Sequence, residues 1–178
     1  MNEETAFAFK KPGSASTRRA RLLDRLDALP PWTFTGALYL ARWGVILPVA
    51  FALNGLGVRG GGGNFNASAL VLLFGFLVLA PVLETFLQCL LPWRLMRKRG
   101  RISETRRPWN FVLLSASLMA IWHVTAWPSA LFPSLITGSF LAYVFAHFAP
   151  RSQRQAFLHT WAFHAAINLA GWTMIVLL

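Results

Sequence analysis

Apolar residues along this chain fall in five blocks separated by polar, mostly basic segments. The blocks cover residues 32–53, 67–92, 111–132, 134–148 and 156–178. Most approach or exceed the roughly 18 to 20 residues that a helix needs to cross a bilayer. The block over 134–148 is short, which suits a tilted or partly re-entrant helix, and the first block carries Arg42 within it. The pattern predicts an all-α, polytopic membrane bundle of about five transmembrane helices. Residues 1–30 form a polar, basic arm whose ARLLDRLDAL stretch fits a short amphipathic helix on a membrane surface, and 31–178 read as one transmembrane domain. The opening MNEETAFAFKK is acidic and lacks an early apolar core, so it does not resemble a signal peptide.

Composition agrees with a membrane class: 56% of the residues are hydrophobic, with 8 Trp and 15 Phe. The net charge of +11 suggests nucleic-acid binding until its distribution is read. Fifteen of the 17 Lys and Arg residues lie before the first block, between the second and third, or between the fourth and fifth. Basic residues in alternate loops follow the positive-inside rule. They place the N-terminus and both basic loops in the cytoplasm, offer contacts to anionic lipid headgroups, and argue against nucleic acid as a partner. Cys89 is the single cysteine, so no internal disulfide or cysteine-rich zinc site exists. The glycine run 60–63 has no strand or helix-opening lysine beside it and reads as a loop.

Candidate chemistry centres on Glu84, the only carboxylate inside any apolar block. An acid at that depth costs several kcal/mol unless it has a partner or a task, which marks a functional site. His123, His164 and Asn168 lie in two other blocks. At 1.5 Å rise per residue, Glu84 is about 12 Å from the end of its block, His164 about 12 Å into its own, and His123 and Asn168 about 18 Å into theirs. All four fall in one membrane layer. His164 and Asn168 are spaced i, i+4 and share a helix face. Ala162, Ala166 and Ala170 form a small-residue stripe that lets a neighbouring helix approach.

Pro81-x-x-Glu84, then His123, then His164-x-x-x-Asn168, resembles the CAAX-protease and bacteriocin-processing (CPBP) family of intramembrane endopeptidases. Thr137-Gly138-Ser139-Phe140 is similar to that family's small-residue turn, and the resemblance covers roughly 78–169. It implies Glu84 as the general base, His123 and His164 as its companions, and Asn168 as the oxyanion donor. The chain departs from the family pattern at Thr85 for the second Glu, at Cys89 (beside Gln88) for the Arg, and at Met119 for the Phe before His123. Arg42, at comparable depth, could supply the missing positive charge or could instead snorkel to the interface.

The residue types suit peptide hydrolysis without the resemblance, since that reaction needs an activated water and donors aimed at an oxyanion. A zinc site of Glu84, His123, His164 and water is the alternative, although no HExxH pair is present. Glu84 could also be structural, paired with Arg42. His147 and His159 sit near block ends and read as interfacial, as do Trp32, Trp93, Trp109 and Trp127. The expectation is a metal-free glutamic-type endopeptidase in a bacterial inner membrane, acting on a membrane-associated peptide or protein. The alternatives are a non-catalytic bacteriocin-immunity or scaffold protein of the same family and a polar-network transporter subunit.

Overall fold

The computed structural model describes residues 25–26, 28–56, 69–100, 108–124 and 128–177. Among them there is no strand, and five helical rods form one bundle. Helix α1 is Pro31–Gly55. Helix α2 runs over residues 69–98 as five consecutive segments, α3 is Trp109–Val124, α4 is Leu131–Phe148 after a 3-10 turn at Pro128–Ala130, and α5 is Gln153–Leu177. The predicted all-α class holds. The N-terminal arm, the glycine run 60–63 and Trp127 lie outside the described residues, apart from Leu26 and Leu29, which pack against the core.

Three helical stretches are long and apolar enough to cross a bilayer: Pro31–Gly55, Gly75–Lys98 and Leu131–Phe148. Helix α5 has the length, but Gln153, Gln155, His159, Thr160, His164 and Asn168 dilute its apolar character. The block read over 111–132 is not one helix. Helix α3 stops at Val124 after 16 residues, and the chain resumes at Pro128, so α4 gains the residues that α3 loses. Pro128 lacks an N–H for an α-helical ladder and opens the 3-10 turn Pro128–Ala130.

Helix α2 owes its shape to Pro81 and Pro92. An interior proline clashes with the carbonyl four residues back and cannot bond to it. Here the backbone widens just before each proline, into π turns at Gly75–Leu79 and Thr85–Leu90. Ala80 N–H closes five residues back on Gly75 O, and Leu91 N–H does the same on Phe86 O. Local π adjustment of this kind lets a membrane helix carry proline without leaving the helical path. Glu84 is the last residue of the α-helical link Ala80–Glu84 between the two turns.

Helices α3 and α4 cross closely at Gly138. A Cβ there would lie 2.8 Å from Met119 Cβ and 2.9 Å from Ala116 Cα, closer than packed atoms approach. Small residues at such a crossing allow the backbone contact that drives association inside lipid, where helix and tail are equally apolar. Thr137-Gly138-Ser139-Phe140 is therefore mid-helix, not a turn. Trp93 packs edge-on against Phe111, with ring centroids 5.0 Å apart, and is buried in the core. This corrects its reading as an interfacial anchor, whereas Trp32 and Trp109 are exposed as that reading requires.

A tight turn joins α4 to α5: the N–H groups of Arg151 and Ser152 both reach Phe148 O. Ser152 Oγ then accepts the N–H of Gln155 at 3.2 Å and caps α5.

Candidate active site

Helix α2 carries Glu84 toward α5, where Glu84 Oε2 lies 3.5 Å from His164 Nε2. That is an ion-pair distance but too long for a good hydrogen bond, and both Glu84 Oε2 and His164 Nδ1 have no hydrogen-bond partner. His164 is 2% exposed, so it backs the carboxylate from the protein interior. The other side of Glu84 faces a cavity of about 840 Å³ between α2 and α3. Phe76, Leu79, Ala80, Leu83, Leu87, Leu118, Ile121 and Trp122 supply most of its wall. Among the described residues Glu84 is the only ionisable one on that wall, and Gln88 is its one amide. Leu79, Leu83, Ile121 and Trp122 are exposed, so the cavity opens sideways, toward lipid in a bilayer.

His123 stands next to the end of α3, adjoining cavity-lining Trp122. Its Nδ1 lies 2.9 Å from Met119 O. A carbonyl only accepts, so Nδ1 is the donor, and in the neutral ring the lone pair is on Nε2. His123 and Arg42 are both near enough to act electrostatically on His164.

Asn168 shares a face with His164 as predicted, but one of its two amide N–H groups is already bonded. Its Nδ2 donates to Phe76 O at 2.9 Å. The reason lies in α2: in the π register set by Ala80, the N–H that would reach Phe76 O belongs to residue 81, a proline. Asn168 thus fills a gap in the helix ladder and ties α5 to α2.

Arg42 is buried at 7% exposure, which removes the snorkelling alternative. Its Nε and one terminal nitrogen donate to Thr137 Oγ1 at 3.3 and 3.1 Å, and its guanidinium lies 4.5 Å from the Trp43 ring centroid. Among the described residues the side chain that approaches Glu84 is His164 and not Arg42. The other guanidinium nitrogen, Nη1, is buried without a partner. Along the Ala162, Ala166 and Ala170 stripe the neighbour is α1, whose Tyr39 hydroxyl reaches Ala166 O at 3.4 Å.

His159 is buried, not interfacial. Thr35 Oγ1 gives its proton to Pro31 O at 2.9 Å and accepts from His159 Nδ1 at 3.1 Å, bracing α1 against α5. The ring packs between Trp32 and Phe148, with centroid distances of 4.1 and 4.3 Å. His147 stacks on Phe34 at 3.9 Å in the same cluster. No group of three His, Cys, Asp or Glu side chains close enough to hold a metal occurs among the described residues. The two-ligand approach of Glu84 and His164 is not extended by His123.

A sequence model of the family described as Type II CAAX prenyl endopeptidase Rce1-like matches residues 66–170. The matched span holds Glu84, His123, His164 and Asn168 and excludes α1 with Arg42. No curated protein and no solved structure matches the chain.

Proposed function

Because the chain belongs to the Type II CAAX prenyl endopeptidase Rce1-like family, we propose that it hydrolyses a peptide bond of a membrane-associated substrate with a water activated by Glu84. Membership supports an intramembrane protease function of the CAAX type. One observation carries the finer reading: a lone carboxylate, backed by His164 at 3.5 Å, faces an apolar cavity that opens between α2 and α3. A substrate chain entering from the membrane would meet no other ionisable group on that wall.

In this reading Glu84 takes a proton from water as the water oxygen attacks the scissile carbonyl, and returns it to the leaving nitrogen. His164 holds the carboxylate in place through Nε2. His123, with its lone pair on Nε2, accepts a hydrogen bond or a proton near the mouth of the cavity. Fixed dipoles in a site shielded from water stabilise developing charge more strongly than they would in water. The basic segments flanking α2 and α5 face the cytoplasm, and the protein is a multi-pass membrane protein. The reaction runs without a metal.

Glu84→Gln tests this assignment. It keeps size and hydrogen bonding but removes the base, so turnover of a prenylated CAAX peptide should fall by at least about 100-fold. Thermal stability should hold or rise, because a buried charge is removed. Turnover near the wild-type level would refute the role of Glu84. Chelation tests the metal-free reading: activity should persist, and a loss restored by zinc would recast Glu84, His123 and His164 as ligands.

A further inference from the structure

Hydrolysis through a tetrahedral intermediate needs a donor aimed at the oxyanion, and Asn168, the residue that family resemblance nominates, has given one of its two amide N–H groups to Phe76 O at 2.9 Å. Asn168 also does not line the cavity that Glu84 faces. Gln88 does. It is four residues beyond Glu84 on α2, so the two side chains stand on one helix face. Gln88 lies in the π turn Thr85–Leu90, is 6% exposed, and makes no hydrogen bond among the described residues. Its amide atoms are not among the fully buried unpartnered ones, so the unbonded N–H groups reach the cavity, where a polar group that arrives with the substrate can meet them.

We propose that Gln88 is the oxyanion donor of this protein, presenting its side-chain N–H to the scissile carbonyl oxygen beside Glu84. The inference rests on the proposed peptidase reading. Glu84 removes a proton from water, the water oxygen bonds to the carbonyl carbon, and the π pair of the carbonyl moves onto its oxygen. Gln88 Nε2–H hydrogen-bonds that oxygen. When the carbonyl re-forms, the C–N bond breaks and the proton held by Glu84 passes to the leaving nitrogen. One water is consumed, and a carboxylic acid and an amine result. Asn168 is then a positioning residue, which holds the backbone of α2 so that Glu84 and Gln88 keep their register.

The test uses the full chain reconstituted in phospholipid vesicles and a quenched-fluorescence peptide carrying a prenylated CAAX sequence. Gln88→Met keeps the length of the side chain and removes the donor. It should lower kcat about 100-fold with little change in KM, as expected of a contact made only in the transition state. Thermal stability should hold. Affinity for a peptide trifluoromethyl ketone, whose hydrate mimics the intermediate, should fall by the same factor as kcat/KM. A Gln88→Met enzyme with kcat near the wild-type level, or with a raised KM alone, overturns the role of Gln88. If Glu84→Gln is inactive in the same vesicles, the peptidase reading survives that result. A wild-type protein that leaves the peptide uncut overturns the peptidase reading and this inference together.

Discussion

The bond from Asn168 Nδ2 to Phe76 O implies an energetic coupling between two helices that a double-mutant cycle can measure. Pro81 removes the N–H that the π register would aim at Phe76 O, and Asn168 supplies a replacement at 2.9 Å. Asn168→Ala leaves that carbonyl without this donor inside an apolar bundle. Interhelical hydrogen bonds in membranes contribute from about 0.6 to about 1.7 kcal/mol, and an unsatisfied buried group costs about 1–3 kcal/mol. A loss of about 1–2 kcal/mol is expected. Pro81→Ala restores the backbone N–H, which offers the carbonyl an additional donor within α2. Asn168→Ala in the Pro81→Ala background should then cost about 1 kcal/mol less than it does alone.

Reversible unfolding of the four proteins in mixed micelles reads the coupling directly. A coupling below about 0.3 kcal/mol would mean that the two changes are independent and that Asn168 does not stand in for the N–H that Pro81 lacks. Turnover adds a second axis. If Asn168 only positions α2, then Pro81→Ala should also recover part of any activity lost in Asn168→Ala. An Asn168 that touched the oxyanion would show the same loss of kcat in both backgrounds.

Two further expectations follow from packing and charge. Gly138→Val should destabilise the bundle by about 1–3 kcal/mol by prising α3 from α4, and Met119→Ala should relieve little of that cost, since the two nearest atoms, Met119 Cβ and Ala116 Cα, both remain. A reporter fused after Leu178 should read as external and one placed at Gly100 as cytoplasmic, and the same side for both would sink the orientation drawn from the basic loops.

Hydropathy revealed the depth of each polar residue but not its direction around the helix axis, and the outcome at each residue follows from that difference. The depth estimates put Glu84 and His164 in one layer, and the structure brings them to 3.5 Å. Depth also put Arg42 near Glu84, yet its rotation on α1 aims it at Thr137. Trp93 and His159 lie near the ends of apolar blocks, where side chains often meet water, but both face inward and are buried. A residue count along one block carries no information about which helix stands opposite.

Backbone distortion was the second thing that hydropathy concealed. Pro81, Pro92 and Pro128 were visible as residues, but an apolar proline does not interrupt an apolar run. Pro128 opens a 3-10 turn within a block where hydropathy ran on. In α2 the two prolines widened the helix without breaking it, and the π turns that resulted lie immediately before and after the link that ends at Glu84. That geometry links the candidate chemistry to the fold. Pro81 has no N–H to offer Phe76 O, which accepts one from Asn168, and Gln88 lines the cavity wall beside Glu84. The departure of this chain from its family pattern at Thr85 and Cys89 falls in the same π turn as Gln88. If Gln88 is the donor proposed above, a family motif without its Arg supplies a polar donor from the neighbouring position of the same turn.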